Sequence, residues 1–207
     1  MPLTADPRPS LSPDEVAPQL AEQRIRGERL LDGRLLKIYR DEAVAADGTP
    51  CTREYTLHPG ASAVVPFFED GSLLMERQWR YPLNRSFLEF PAGKLDPGEA
   101  PLQTALRELK EETGYQAQEW AVLGPMHPVI SYSTEVIHLF MARGLSEGAA
   151  HTEAGECLEL VRISVDGLFE EIARGTVTDA KTLACAFWLS RMQTGHYVPE
   201  WFIPAGD

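Results

Sequence analysis

Apolar positions along the 207-residue chain fall into short runs that follow strand and helix periods in turn. Between Arg34 and Val44, apolar and polar residues mix in a strand-like way, with Leu35, Leu36, Ile38 and Tyr39 as the apolar set. Ala46-Asp47-Gly48 then supplies a turn before Thr52 to Leu57, which predicts a hairpin. Ser62 to Phe68 reads as a more buried strand, Glu69-Asp70-Gly71 turns the chain, and Leu73 to Arg80 returns, so a second hairpin is expected. Phe87 to Phe90, Trp120 to Leu123, Val136 to Met141 and Cys157 to Ile163 read as further strands. Asp166 to Arg174 predicts a short helix, and a longer one starts with Thr178 or Asp179 as cap and runs to Gln193, closed by Gly195.

The helix with the clearest boundaries lies between these strand groups. Gly93, Pro97 and Gly98 punctuate a loop, Glu99-Ala100-Pro101 opens the helix with proline in the first turn, and Gly114 ends it. At about 100° per residue, Leu102, Ala105, Leu106 and Leu109 share one side. Glu108, Glu111 and Glu112 share an arc centred well away from it. Carboxylates this close repel. Arg107 offsets part of that repulsion, and a hard divalent cation with oxygen ligands would offset far more; a solvated acidic face is the plainer alternative.

Strands, one helix, more strands and then helices, without regular alternation, point to an α+β protein: a mixed β-sheet sandwiched by helices. Residues 1–22 form a proline-rich leader in which Ser12-Pro13-Asp14-Glu15 has the form of a capping box. Residues 23–58 form an N-terminal antiparallel β-hairpin arm, 59–200 the main domain and 201–207 a tail.

Composition narrows the function. A net charge of −12 argues against a broad nucleic-acid footprint. Cys51, Cys157 and Cys185 suggest neither a disulfide framework nor a zinc knuckle. No apolar run approaches the length of a membrane span or a signal-peptide core, so a cytoplasmic location without membrane contact is expected. The five histidines show no metal-ligand spacing such as HExxH.

Gly93, five residues, Glu99, seven residues, then Arg107-Glu108-Leu109-Lys110-Glu111-Glu112-Thr113-Gly114-Tyr115 resembles the Nudix box at every specified position except Tyr115, where an aliphatic residue is usual. Gln78-Trp79-Arg80, Leu88 to Gly93 and Pro128 to Glu135 are similar to the ADP-ribose pyrophosphatase branch of that family. The resemblance implies the Nudix α/β/α sandwich. It also implies a Mg²⁺-dependent diphosphatase, Mn²⁺ being a possible substitute, that splits ADP-ribose into AMP and ribose 5-phosphate or acts on a related ADP-sugar. Pro125 and Pro128 fall nearer the box than that branch's marker proline, which keeps other nucleotide sugars such as GDP-mannose open. A non-catalytic ADP-ribose sensor is the alternative of another class.

Carried over by the same resemblance, the metal ligands are Glu108, Glu111, Glu112, Glu156 and the carbonyl of Ala92, with Arg107 in the catalytic set. Glu156 is the candidate base and Glu153 its reserve. Arg80 contacts substrate phosphate, and Glu135 is a further active-site carboxylate. Arg53 and Glu54 match an N-terminal strand that crosses to a partner subunit, implying a homodimer with shared sites; for Arg53 a cross-strand ion pair is the other reading. Trp79 is either an adenine platform or a core residue.

Overall fold

The computed structural model describes residues 18–150, 155 and 157–205; the capping-box helix expected near Ser12 lies outside them. The chain divides into two compact units, Met1–Leu57 and His58–Asp207.

In the N-terminal unit, β1 (Gln23–Asp32), β2 (Lys37–Val44) and β3 (Pro50–Leu57) form an antiparallel sheet in that order. The expected hairpin is therefore two strands of a three-stranded sheet. Strand β1 is exposed along its whole length, which is why no alternation of polar and apolar residues announces it. Cross-strand pairs hold the unit: the Tyr39 and Tyr55 rings stack at 5.8 Å, and Arg26 binds Glu42 while Arg40 binds Glu54. Among its described residues, Ala43 is the one apolar side chain that is buried.

The larger unit contains β4 (Ala61–Pro66), β5 (Leu73–Arg80), β6 (Arg85–Glu89), β7 (Ala92–Lys94), α1 (Pro101–Thr113) and β8 (Tyr115–Met126). It continues through β9 (Ile137–Glu147), β10 (Leu158–Ile163), α2 (Val165–Ala173) and α3 (Ala180–Gln193). One sheet has the order β7-β4-β9-β8 and is mixed, because β4 and β9 run parallel; the other is antiparallel, β10-β5-β6.

Strand β4 is buried on both faces and divides the core. Ala61, Ala63 and Val65 point to the cluster made with β5, β6, α2 and α3. Val64 points the other way, to Ala105 and Leu109 of α1 with Trp120 and Phe140. Helices thus cover the strands from both sides, as the α/β/α sandwich requires.

Two expectations change. Ser62–Phe68 and Leu73–Arg80 do not form a hairpin: after a single bridge between Phe67 and Leu73 the strands diverge into different sheets. The backbone groups of so buried a strand need partners along both edges, and β7 and β9 supply them. The segment expected to be a loop at Gly93 starts as strand β7. The tail docks on its own unit, where Phe202 exchanges two 2.8 Å backbone hydrogen bonds with Trp120 on edge strand β8, and Arg143 lies over the Trp201 ring. Among the described residues no helix is long and apolar enough to cross a membrane.

Candidate active site

Helix α1 begins with Pro101 at its first position and ends at Gly114, whose φ of 77° gives the left-handed cap that lets its N–H return to the Lys110 carbonyl. Ala105 and Leu109, both fully buried, set the roll of the helix on the sheet. Its acidic flank then faces β7.

Glu112 is 5% exposed, so this member of the acidic face is not solvated, while Glu111 stays half-exposed. At about 100° per residue Glu112 lies about 20° from Ala105, at the margin of the buried stripe. The Ala92 N–H donates to Glu112 Oε2 at 3.0 Å. One turn earlier, the Glu108 carboxylate lies against Gly93 so closely that a Cβ there would land on it. Consecutive residues of β7 thus receive the two carboxylates, and the glycine is required by close approach rather than by backbone conformation.

Arg107 ties this arrangement together. Its Nε and Nη2 donate to Glu99 at 3.0 and 2.9 Å, its Nη1 to Glu108 at 2.7 Å and Glu111 at 3.1 Å, and its Nη2 also to the Lys94 carbonyl at 3.1 Å. Glu99, to which the sequence assigned no role beyond the helix entrance, also accepts from the Asp96 N–H and the Thr104 hydroxyl. These bonds, Arg107 foremost, hold its carboxyl down at about 2. The fixed spacing of Glu99 and Arg107 within the box is the sequence signal for this loop-to-helix clamp. Tyr115, the departure from the box, is accommodated because its ring meets Phe68 edge-on at 5.6 Å.

A second charged group lies on β5 and β6. Arg80 donates through Nε and Nη2 to the two oxygens of Glu89, each at 2.7 Å, and Lys181 of α3 also binds Glu89. Burial alone would raise the Glu89 carboxyl, but the Arg80 and Lys181 hydrogen bonds and charges outweigh it and hold it low. Two cations offset a desolvation cost of roughly several kcal/mol per buried ion. Glu89 and Lys181 were not anticipated. Trp79 is 57% exposed, which removes the core reading.

Glu135 lies just before β9, its carboxylate 3.8 Å from His58 Nδ1. Arg53 pairs with Glu22 and Glu54 with Arg40, both within the N-terminal unit. Glu156 and Glu153 lie outside the described residues. The structure thus gathers Ala92, Glu108, Glu111, Glu112 and Arg107 around β7 and α1, and places Arg80 on the strand pair that feeds β7.

The NUDIX domain profile matches residues 56–184. The chain belongs to the Nudix family. It is 34% identical over 165 residues to an ADP-ribose pyrophosphatase of Bacillus subtilis (strain 168), covering 79% of this chain and 89% of that one. It is 37% identical over 172 residues to a methanol dehydrogenase activator of Bacillus methanolicus, covering 81% and 92%. The crystal structure of an ADP compounds hydrolase shares the fold with a TM-score of 0.76 at 22% identity, over 84% of this chain and 95% of that one.

Nudix hydrolases use divalent metal ions, and the donors here fit one. They are all oxygen, and the missing Cβ of Gly93 brings Glu108 against the strand that Glu112 also reaches. Among the described residues no three carboxylates are gathered closely enough to hold an ion as they stand. Arg107 occupies Glu108 and Glu111 instead.

Gly93→Ala is expected to fold, because the group it displaces is the end of a flexible side chain, and to lose about a hundredfold in turnover by moving Glu108. Unchanged turnover at an unchanged melting temperature would contradict the close-approach argument. The Glu99 carboxyl titrates at about 2 in the fold against an ordinary 4.5. Its pairing therefore adds stability above the ordinary value and loses it as pH falls toward the folded one. Urea midpoints followed from pH 5 downward should fall less steeply in Glu99→Gln than in the wild type; equal slopes would show that the pairing is not linked to folding.

Proposed function

We propose that this Nudix hydrolase cleaves the pyrophosphate of ADP-ribose to AMP and ribose 5-phosphate, with related ADP-sugars as further substrates. The reading includes Mg²⁺ as the cation, Mn²⁺ as a substitute, a cytoplasmic location and a homodimer. The observation that carries it is the juxtaposition of Glu108 and Glu112 on Ala92-Gly93 in a chain 34% identical to an ADP-ribose pyrophosphatase over 89% of that protein.

In this reading Glu108, Glu112, Glu111, Glu156 and the Ala92 carbonyl hold the cation. When bound, it neutralises the carboxylate cluster and polarises the phosphoryl oxygens. Arg107 keeps Glu108 and Glu111 from splaying apart while holding the loop through Glu99. Arg80 binds the pyrophosphate, its fork oriented by Glu89. A water oxygen attacks one phosphorus, the bridging P–O bond breaks toward the other phosphate, and Glu156, or Glu153 in its place, takes the water's proton. Glu135 completes the carboxylate rim.

The dimer is supported by the N-terminal unit, where Ile25, Leu30, Leu31, Leu35 and Leu36 are exposed and Ala43 is the buried apolar side chain among the described residues. So small a buried set is a weak core, and a partner surface would complete it. Arg53 and Glu54 on β3 are the residues this reading offers to a shared adenosine pocket. The relative named for activating methanol dehydrogenase supports a second reading, in which the chain acts upon a dehydrogenase.

A panel of ADP-ribose, ADP-glucose, GDP-mannose and NADH with Mg²⁺ should give the highest kcat/KM on ADP-ribose, with AMP released. Glu112→Gln should lower kcat at least about a hundredfold. A higher kcat/KM on GDP-mannose would move the substrate, tight ADP-ribose binding without turnover would favour a sensor, and near-normal activity of Glu112→Gln would remove the metal-site assignment.

A further inference from the structure

We infer that Lys181 is a positioning residue for substrate binding: from α3 it fixes Glu89, and through Glu89 the guanidinium of Arg80. This rests on the reading of Arg80 as a contact to the pyrophosphate.

Lys181, Cys185 and Leu189 follow one another at four-residue intervals on the buried stripe of α3. Cys185 and Leu189 fill the core. Lys181, its side chain only 9% exposed, carries a charge into the same stripe. If packing were its whole purpose an unbranched apolar residue would serve as well or better, since buried ion groups stabilise poorly against apolar replacements of like size. What an ion network supplies is orientation. Lys181 binds Glu89 and, at 3.1 Å, Asp179, the cap of its own helix. Glu89 is 3% exposed in its side chain and spends both oxygens on Arg80.

Arg80 needs such a hold. In the β5–β6 register Arg80 faces Arg85, while Glu89 faces Glu76, so the Arg80 side chain reaches along the sheet face to meet Glu89. Arg85 lies over the Phe87 ring and donates to Thr178 at 3.0 Å. Two facing guanidinium groups that would repel each have partners of their own, and the carboxylate that takes Arg80 is pinned by the start of α3. Among the described residues Arg80 gives Nε and Nη2 to Glu89, which leaves the Nη1 end of the fork over for an oxyanion. The same anchor sits three residues before Ala92, so α3 also fixes the segment that enters β7.

A double-mutant cycle on ADP-ribose kinetics separates positioning from packing. Arg80→Lys should raise KM about tenfold, Lys181→Met should raise KM about five- to tenfold with kcat within about threefold of wild type, and the double variant should be no worse than Arg80→Lys alone. A double variant whose KM increase is the product of the two single increases would overturn the inference, since Lys181 would then act independently of Arg80. So would a Lys181→Met variant that loses kcat at unchanged KM. Arg80→Lys at wild-type KM would overturn the parent reading of Arg80, a distinguishable result. If Lys181→Met does not fold, Glu89→Gln takes its place in the cycle with the same expectations.

Discussion

The larger unit is arranged around a crowding of negative charge over one short strand. Glu108 and Glu112 project from α1 onto consecutive residues of β7, and the strand accepts them because one residue offers an N–H and the other has no side chain. Everything nearby answers that crowding. Arg107 spans three carboxylates and a carbonyl, Glu99 ties the intervening loop to the same guanidinium, and the apolar side of α1 holds the helix at the roll that makes the contacts possible. In a chain of net charge −12, one cation serves this cluster and two serve Glu89.

The two charged groups divide the work by location. The Arg107 group is partly open. In the other group Glu89 and Lys181 are closed off under α3 while Arg80 stays partly exposed, and two cations share one carboxylate. Open placement suits groups that exchange partners during a reaction, and closed placement suits groups that hold geometry. Between them runs the stretch from Glu89 to Lys94, steadied further where the Val64 N–H meets the Pro91 carbonyl at 3.0 Å.

Much of this was legible in the chain, and the failures have physical causes. Pro101 and Gly114 marked α1 because their backbone preferences are local. The cap of α3 was legible as Thr178 or Asp179 for the same reason, and it is the Asp179 side chain that accepts from the Thr182 N–H. Strand β1 left no trace because neither of its faces is buried. The wrong hairpin came from reading two adjacent strands as partners when the backbone groups of a buried strand found nonlocal neighbours along both edges. Glu112 was placed with the exposed acids although its angle put it beside Ala105. Lys181 could have been noticed as a lysine in register with Cys185 and Leu189, but its partner Glu89 is 92 residues away in sequence, beyond any local pattern.

The central claim is that Glu108 and Glu112, set against Ala92 and Gly93, form the cation site. Titrating the ¹⁵N-labelled protein with substoichiometric Mn²⁺ tests this most directly, through paramagnetic broadening of amide resonances. Ala92, Gly93 and the second half of α1 should broaden first, while the middle of α3 stays sharp. Broadening centred elsewhere, or spread evenly over the acidic surface, would contradict the account.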